Sequence, residues 1–299
     1  MDLEKHEKTI HKKTDKMTEK VVKALKKQFE EMGKVILQEI ASIHAKYEKG
    51  GKLTYEEMTK YNRLNTFISK INGYIDDLVK GEYKHISEGI KDCYKLSYEY
   101  MGYALETETQ TYLNFGEIKS NQLQAVVDNP VSGLTLTDTL EKNRSQVIYD
   151  VKRTITQAIY NGYSYGTTAK LLKDVFQGDY VKAVRVARTE MARAVEVGKY
   201  ESAMKAKEEG VIETKTWKTS RDSRVRDLHN KLYGKTIPVD EMFDLGDGYK
   251  GIGPKQTGYA WHDINCRCRL HYKIVDVKKP KHNSLAEMEF EEWRKTRLK

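Results

Sequence analysis

"VIETKTWKTS" (residues 211–220) marks the point where the chain changes period. Val211, Glu213 and Lys215 oppose Ile212, Thr214 and Thr216, the two-residue alternation of a strand. Upstream, as far as Gly210, the apolar residues recur every three or four positions and Pro130 is the lone proline. Downstream lie Pro238, Pro254 and Pro280, a glycine-rich stretch and a second strand-like run, "YAWHDINCRCRLHYKIVDV" (259–277). The predicted fold is therefore α+β, mostly α: an elongated N-terminal helical region followed by a small C-terminal α+β module.

Working outward, Val22, Leu25, Phe29, Met32, Ile36, Ile40, Ile43 and Tyr47 form one stripe of a long helix over about 16–47, ended by "EKGGK" (48–52). A second helix is expected from about Thr54 to Val79, packed antiparallel on the first. A third stretch, about 83–112, is rich in tyrosine, read as half-buried packing with base stacking as the alternative. The turn cluster "DNPVSG" (128–133) is the first boundary. Beyond it, Thr137 or Asp138 is placed to cap a helix, Gly178 to end a short one, and a long helix follows to Gly210. "DLGDGYKGIGPKQTG" (244–258) reads as a loop, and Ser284 as the cap of a final helix. The expected domains are 1–130, a helical partner-binding region; 131–210, helical; 211–277, the α+β module; and 278–299, a basic and helical tail.

A chain of 299 residues has room for two or three domains. Charged residues make up 32% and hydrophobic ones 38%, with a mean hydropathy of -0.73, which favours extended helical parts over one large core. The net charge of +9 permits contact with phosphate backbones or with an acidic protein. No run approaches the roughly 20 apolar residues of a membrane span, so no membrane segment is expected. The N-terminus has no secretory h-region. Cys93, Cys266 and Cys268 make no disulfide framework, which points to a reducing compartment.

"HDINCRC" (262–268) carries the chemistry that needs a decision. His262, Cys266 and Cys268, with His229 as a fourth donor, offer a nitrogen and sulfur set suited to zinc. In a strand, positions 266 and 268 share a face. The plain alternative is two buried cysteines packing as small apolar groups beside Leu270; a Cys266–Cys268 disulfide would be strained. A Cys–His pair with His262 or His271 as base is available, but no nucleophile elbow accompanies it. Asp222, Asp227 and His229 could hold a metal for phosphodiester cleavage, though they alternate with Arg221, Arg224 and Arg226 as salt-bridged surface runs do. Arg267 and Arg269 should face away from the cysteines, paired with Asp222 or Asp227, or set on phosphate. No catalytic residue is assigned. No cofactor is expected unless zinc is bound, and no nucleic-acid-binding residue is identified.

In order along the chain come "ARTEMARAVEVGKYESA" (187–203), "GVIETKTWKTSRDSRVRDLHNKLYGKTIPVDEMF" (210–243), a glycine loop and "HDINCRCRL" (262–270). Residues 140–277 thereby resemble the phage minor head protein family, the Mu F-like or SPP1 gp7-like head morphogenesis domain. Arg188, Thr189 and Glu190 match its helix motif; Trp217, Asp222, His229 and Gly234 its central motif; His262, Asn265, Cys266, Arg267 and Cys268 its closing motif. Some members, which look metal-bound, have Cys-x-x-Cys where this chain reads Arg226 to His229, and here one extra residue separates His262 from Cys266. The resemblance implies a non-enzymatic virion component made in the host cytoplasm and placed in the phage head interior. Such a protein would act in head morphogenesis and genome packaging or ejection. Its implied partners are the portal, scaffold or major capsid protein, and double-stranded DNA bound without sequence preference. The alternative is a metal-dependent nuclease or a toxin-type effector.

Overall fold

The structure, a computed structural model, describes residues 1, 3–129, 131, 133–279 and 281–298. Pro130 and Ser132 of the 128–133 turn cluster and Pro280 of the tail lie outside them. The chain divides into two compact units, neither of them contiguous in sequence. The first comprises Met1–Glu19, Ser87–Thr135 and Ala187–Lys299; the second comprises Lys20–Ile86 and Leu136–Val186. Helices α1 (Glu4–Tyr47), α3 (Arg63–Thr109) and α6 (Tyr165–Glu208) contribute to both.

In the second unit, α1 and α3 run antiparallel, as expected. Gln28 Nε2 donates to Leu78 O at 2.9 Å, and Lys70 Nζ donates to Glu39 Oε1 at 2.7 Å. Their stripes, Leu25, Phe29, Ile36 and Ile40 on α1 with Ile71, Ile75 and Leu78 on α3, are buried. Gly50 and Gly51, with φ of 59° and 77°, turn the chain after α1. The helix expected over 54–79 is divided, because Tyr61 and Asn62 have positive φ between α2 (Tyr55–Thr59) and α3. From Arg63 it then runs through the tyrosine-rich stretch without a break. Gly81 lies inside α3, where a Cβ would collide with the Gln28 side chain. Helix α5 (Leu136–Tyr160) starts ahead of Thr137 and Asp138, so these occupy its first turn rather than cap it. Gly178 does not end a helix either. It lies within α6, because a lone glycine costs only about 1 kcal/mol against alanine in a helix and no proline follows.

In the first unit, Gly198 of α6 lies against α3: a Cβ there would sit 2.8 Å from the Tyr94 carbonyl oxygen. Helix α4 (Ser120–Asp128) belongs to the same unit, and Arg193 of α6 donates to the Val126 carbonyl at 2.8 Å. The sheet has β1 (Val211–Lys218) at its centre, flanked by β2 (Thr236–Pro238) and β5 (Arg269–Val277), all antiparallel. Val211 faces Val277 and Lys218 faces Arg269, with a register shift between Ile212 and Glu213. The inner face of β1 carries Val211, Glu213, Lys215 and Trp217, all buried.

The glycine-rich segment is only partly a loop. It contains the hairpin of β3 (Phe243–Gly246) and β4 (Tyr249–Gly251). Gly246, Asp247 and Gly248 all take positive φ, which closes that tight turn.

The first described residues and the last described helix are both tied in. The Met1 amine donates to the Ile274 carbonyl at 2.7 Å, and the Ile274 N–H returns a bond to the Met1 carbonyl. Helix α1 begins at Glu4 rather than near Lys16, and Glu7, His11 and Thr14 are buried on it. At the other end, α9 (Phe290–Arg297) is preceded by Glu289 at the cap position, so Ser284 does not cap it. Its Trp293 indole and Arg297 guanidinium both bond the fully buried Glu106 carboxylate.

Candidate metal centre

The module brings together residues that the sequence keeps far apart. Helix α7 (Asp227–Lys231) presents His229, which is 1% exposed. Helix α8 (Ala260–Asp263) presents His262, and the irregular segment 264–268 brings in Cys266 and Cys268. The cysteines thus precede β5 instead of lying within a closing strand, yet both are buried, as strand alternation had suggested.

His229 Nδ1 is 3.6 Å from Cys266 Sγ and 3.6 Å from Cys268 Sγ. Zn–S bonds of about 2.3 Å and Zn–N bonds of about 2.0 Å in a tetrahedron place sulfur and nitrogen about 3.5 Å apart. The observed edges match that spacing. Among the described residues, no other trio of such donors converges. His262 is close but stands behind the trio: its Nδ1 is 2.9 Å from His229 Nε2, and the two rings are nearly coplanar, at 9°. That is the place of an outer partner orienting a ligating imidazole, not of a fourth ligand. Three donors therefore fit a zinc ion, with one corner not supplied by a described residue.

The electrostatics follow from burial and from the closeness of the sulfurs. The hydrogen bond from Cys268 pulls the Cys266 thiol well below its usual value, against burial and with help from His229. Cys268 is pushed up in turn by that bond and by burial. Burial lowers His262 to about 4, so it is neutral at pH 7. Its Nε2 is buried without a partner.

The surroundings hold this arrangement in place. The Trp217 indole meets His229 and Phe243 edge to face at 5.2 Å each. Asp263 is buried and accepts from Thr257 N, Thr257 Oγ1 and Gly258 N. Buried Lys255 donates to the Cys268 carbonyl. Thr189 Oγ1 accepts from Asn265 N, which joins α6 to segment 264–268. Gly234 takes a φ of 81° and donates to the Trp217 carbonyl. Glu190 is buried and pairs with Arg193, whereas Arg188 is exposed. Asp222 forms a two-pronged pair with Arg267, one of the two pairings expected, and is not among the converging metal donors. Arg269 pairs with Asp15 of α1 instead of with an acid of the module.

Sequence reasoning missed the other buried polar centre. Lys199 is fully buried and donates to the Leu270 carbonyl at 2.8 Å. It lies 3.3 Å from Glu196 and 3.7 Å from Glu7, with His11 beside it. A lysine on an otherwise amphipathic helix carries no local sign of such burial.

Helices leading into a small sheet, with His229, Cys266 and Cys268 converging beside it, form the part of the chain that a known family matches. The family described as phage Mu protein F like matches residues 149–271. The minor head protein GP7 of Bacillus phage SPP1 is 33% identical over 271 residues, 91% of this chain and 87% of that protein. The chain belongs to this Mu F-like family of phage head proteins. It is also similar to the NAD(+)–arginine ADP-ribosyltransferase EFV of Enterococcus faecalis (strain ATCC 700802 / V583), 31% identical over 204 residues, which is 66% of this chain but 42% of that protein. The uncharacterized protein YqbB of Bacillus subtilis (strain 168) is 25% identical over 295 residues, 89% of this chain and 92% of that protein. No solved structure matches. No described helix is long and apolar enough to cross a membrane.

Proposed function

We propose that this chain is a non-enzymatic minor head protein of the phage head interior, associated with the portal, scaffold or major capsid protein. It acts in head morphogenesis and in genome packaging or ejection, and touches double-stranded DNA without sequence preference. The observation that carries the reading is the near end-to-end match to a minor head protein. The burial of His229, Cys266 and Cys268 supports it, since no substrate reaches them as they stand. The net charge of +9 suits contact with packed DNA. Deleting the gene from its phage should alter procapsid content or DNA ejection; normal particles and normal ejection would overturn the reading. DNA binding should weaken steeply with salt and ignore sequence.

The sequence-expected domains remain part of this reading, with 1–130 as the partner-binding part and 211–277 as the stapled module. His229, Cys266 and Cys268 would hold zinc, with His262 behind them. A zinc ion there would supply a cross-link between α7 and segment 264–268. Purified protein should contain about one zinc per chain, lost in the Cys266→Ser, Cys268→Ser double variant. Zinc-free protein of unchanged stability would leave the two cysteines as ordinary packing.

The match to an ADP-ribosyltransferase favours one second reading, a toxin-type effector module. Transfer of ADP-ribose from NAD to arginine by the purified chain would establish it. DNA or RNA cleavage with added divalent metal, lost in His229→Ala or Asp222→Ala, would instead establish a nuclease.

A further inference from the structure

Residues 259–264 are folded with inverted polarity. Tyr259, Trp261 and Ile264 are 40%, 44% and 37% exposed, while His262 and Asp263 between them are 0% and 2% exposed. The chain turns its polar groups inward and its apolar ones to solvent, the reverse of what water favours. The segment is also held rigidly. Asp263 gathers bonds from Thr257 and Gly258, the Asn265 N–H is held by Thr189, and Arg226 donates to the Ile264 carbonyl at 2.7 Å. Exposed aromatics fixed in advance lose little freedom when covered.

We infer that Tyr259, Trp261 and Ile264 form a docking surface for a segment of another head protein, one presenting aliphatic side chains beside a carboxylate. This rests on the head-protein reading, which places structural partners around the chain. An apolar aromatic centre with arginine at its rim has the anatomy of a protein–protein hot spot. The rim carries Arg226 and, beyond it, the Arg267–Asp222–Arg224 cluster. Nucleic acid fits less well. Trp261 has its ring 3.6 Å from the His262 ring, and Tyr249 meets both Tyr259 and Trp261 edge to face, so no parallel platform for bases is laid out. Arg267 is neutralised by Asp222, whereas the Arg226 charge, bonded only to a carbonyl, is left for a single carboxylate, so no row of cations is laid out for successive phosphates.

The test replaces Trp261 with the photo-cross-linker benzoylphenylalanine and irradiates assembled heads. Tyr160, 81% exposed in the second unit, serves as the control position. The expected result is an adduct at 261, absent at 160, to one other virion protein at a peptide rich in aspartate or glutamate. Adducts only to DNA, only to a second copy of this chain, or none at all overturn the inference. Trp261→Ala should fold with an unchanged melting midpoint and enter particles roughly tenfold less well, with recovery in Trp261→Phe; unchanged incorporation also overturns it. Absence of the unsubstituted chain from purified particles would overturn the head-protein reading and this one with it. Presence without the adduct overturns this one alone.

Discussion

The two units differ in how they bury charge: the first holds paired groups beside unpaired ones, the second an unpaired acid and a weakly paired one. In the first, Lys199 is paired with Glu7 and Glu196, and Glu106 with Trp293 and Arg297. Glu213 and Lys215 of the same unit are buried without a hydrogen-bond partner, and burial raises the pKa of the one and lowers that of the other. In the second, Glu82 and Asp179 are 3% and 5% exposed, and Asp179 has only a long ion pair, to the Lys182 ammonium at 3.9 Å. Burial pushes Glu82 up to about 8, with Asp179 adding to the shift, and Asp179 up to about 6. A protein can hold a buried ionisable group either by pairing it or by keeping it neutral. The first solution specifies which segments meet, whereas the second makes stability depend on pH.

The comparison breaks most readily at Lys199. Lys199→Ala strands Glu7 and Glu196 in a dry interior and should cost about 3–5 kcal/mol, as removal of one partner of a buried pair does. Urea unfolding followed by Trp fluorescence would measure it. A loss below 1 kcal/mol would mean the network is incidental to the first unit.

Next in size is Glu82→Gln. Below pH 4.5 the wild-type carboxyl is protonated whether the chain is folded or not, so nothing is lost there. Above it the unfolded chain ionises while the folded one keeps the proton until pH about 8. The native state should therefore lose up to about 1.4 kcal/mol per pH unit across that window, a few kcal/mol in all. The variant should melt higher than wild type at pH 8 and no differently at pH 4. Identical pH profiles for the two would show that Glu82 ionises freely in the folded protein.

The smallest effect belongs to Asp222→Asn. Its pair with Arg267 lies on the surface, where screening leaves little net gain. The melting midpoint should stay where it is, and a large drop would make this pair a structural brace of the module.

What could be read from residues alone divides along physical lines. The stripes of α1 and α3, the alternation of β1, and the donors His229, Cys266 and Cys268 were legible because period and side-chain chemistry are local properties. Gly178 misled as a helix end because a glycine signals only freedom, and helix continuity decides its use. The start of α1 was missed because "EKHEKTIHKKTDK" (4–16) is polar. Its buried faces are satisfied by Lys199 and by His271 and Tyr272 of β5, which nothing nearby announces. The outer place of His262 needed coordinates, since sequence lists donors without showing which lone pairs converge.

The Glu7 bond to His271 spans 264 residues of chain. At roughly 5–20 residues per second on the ribosome, Glu7 waits about 13–53 s after its own synthesis before its partner exists. Met1 waits as long for Ile274. The second unit, by contrast, has all its residues once Val186 is made. The first unit is therefore assembled last although Met1–Glu19, which belong to it, are translated before any residue of the second. A chain released early would carry a complete second unit and an open first one, with α1 lacking the strand that covers its start.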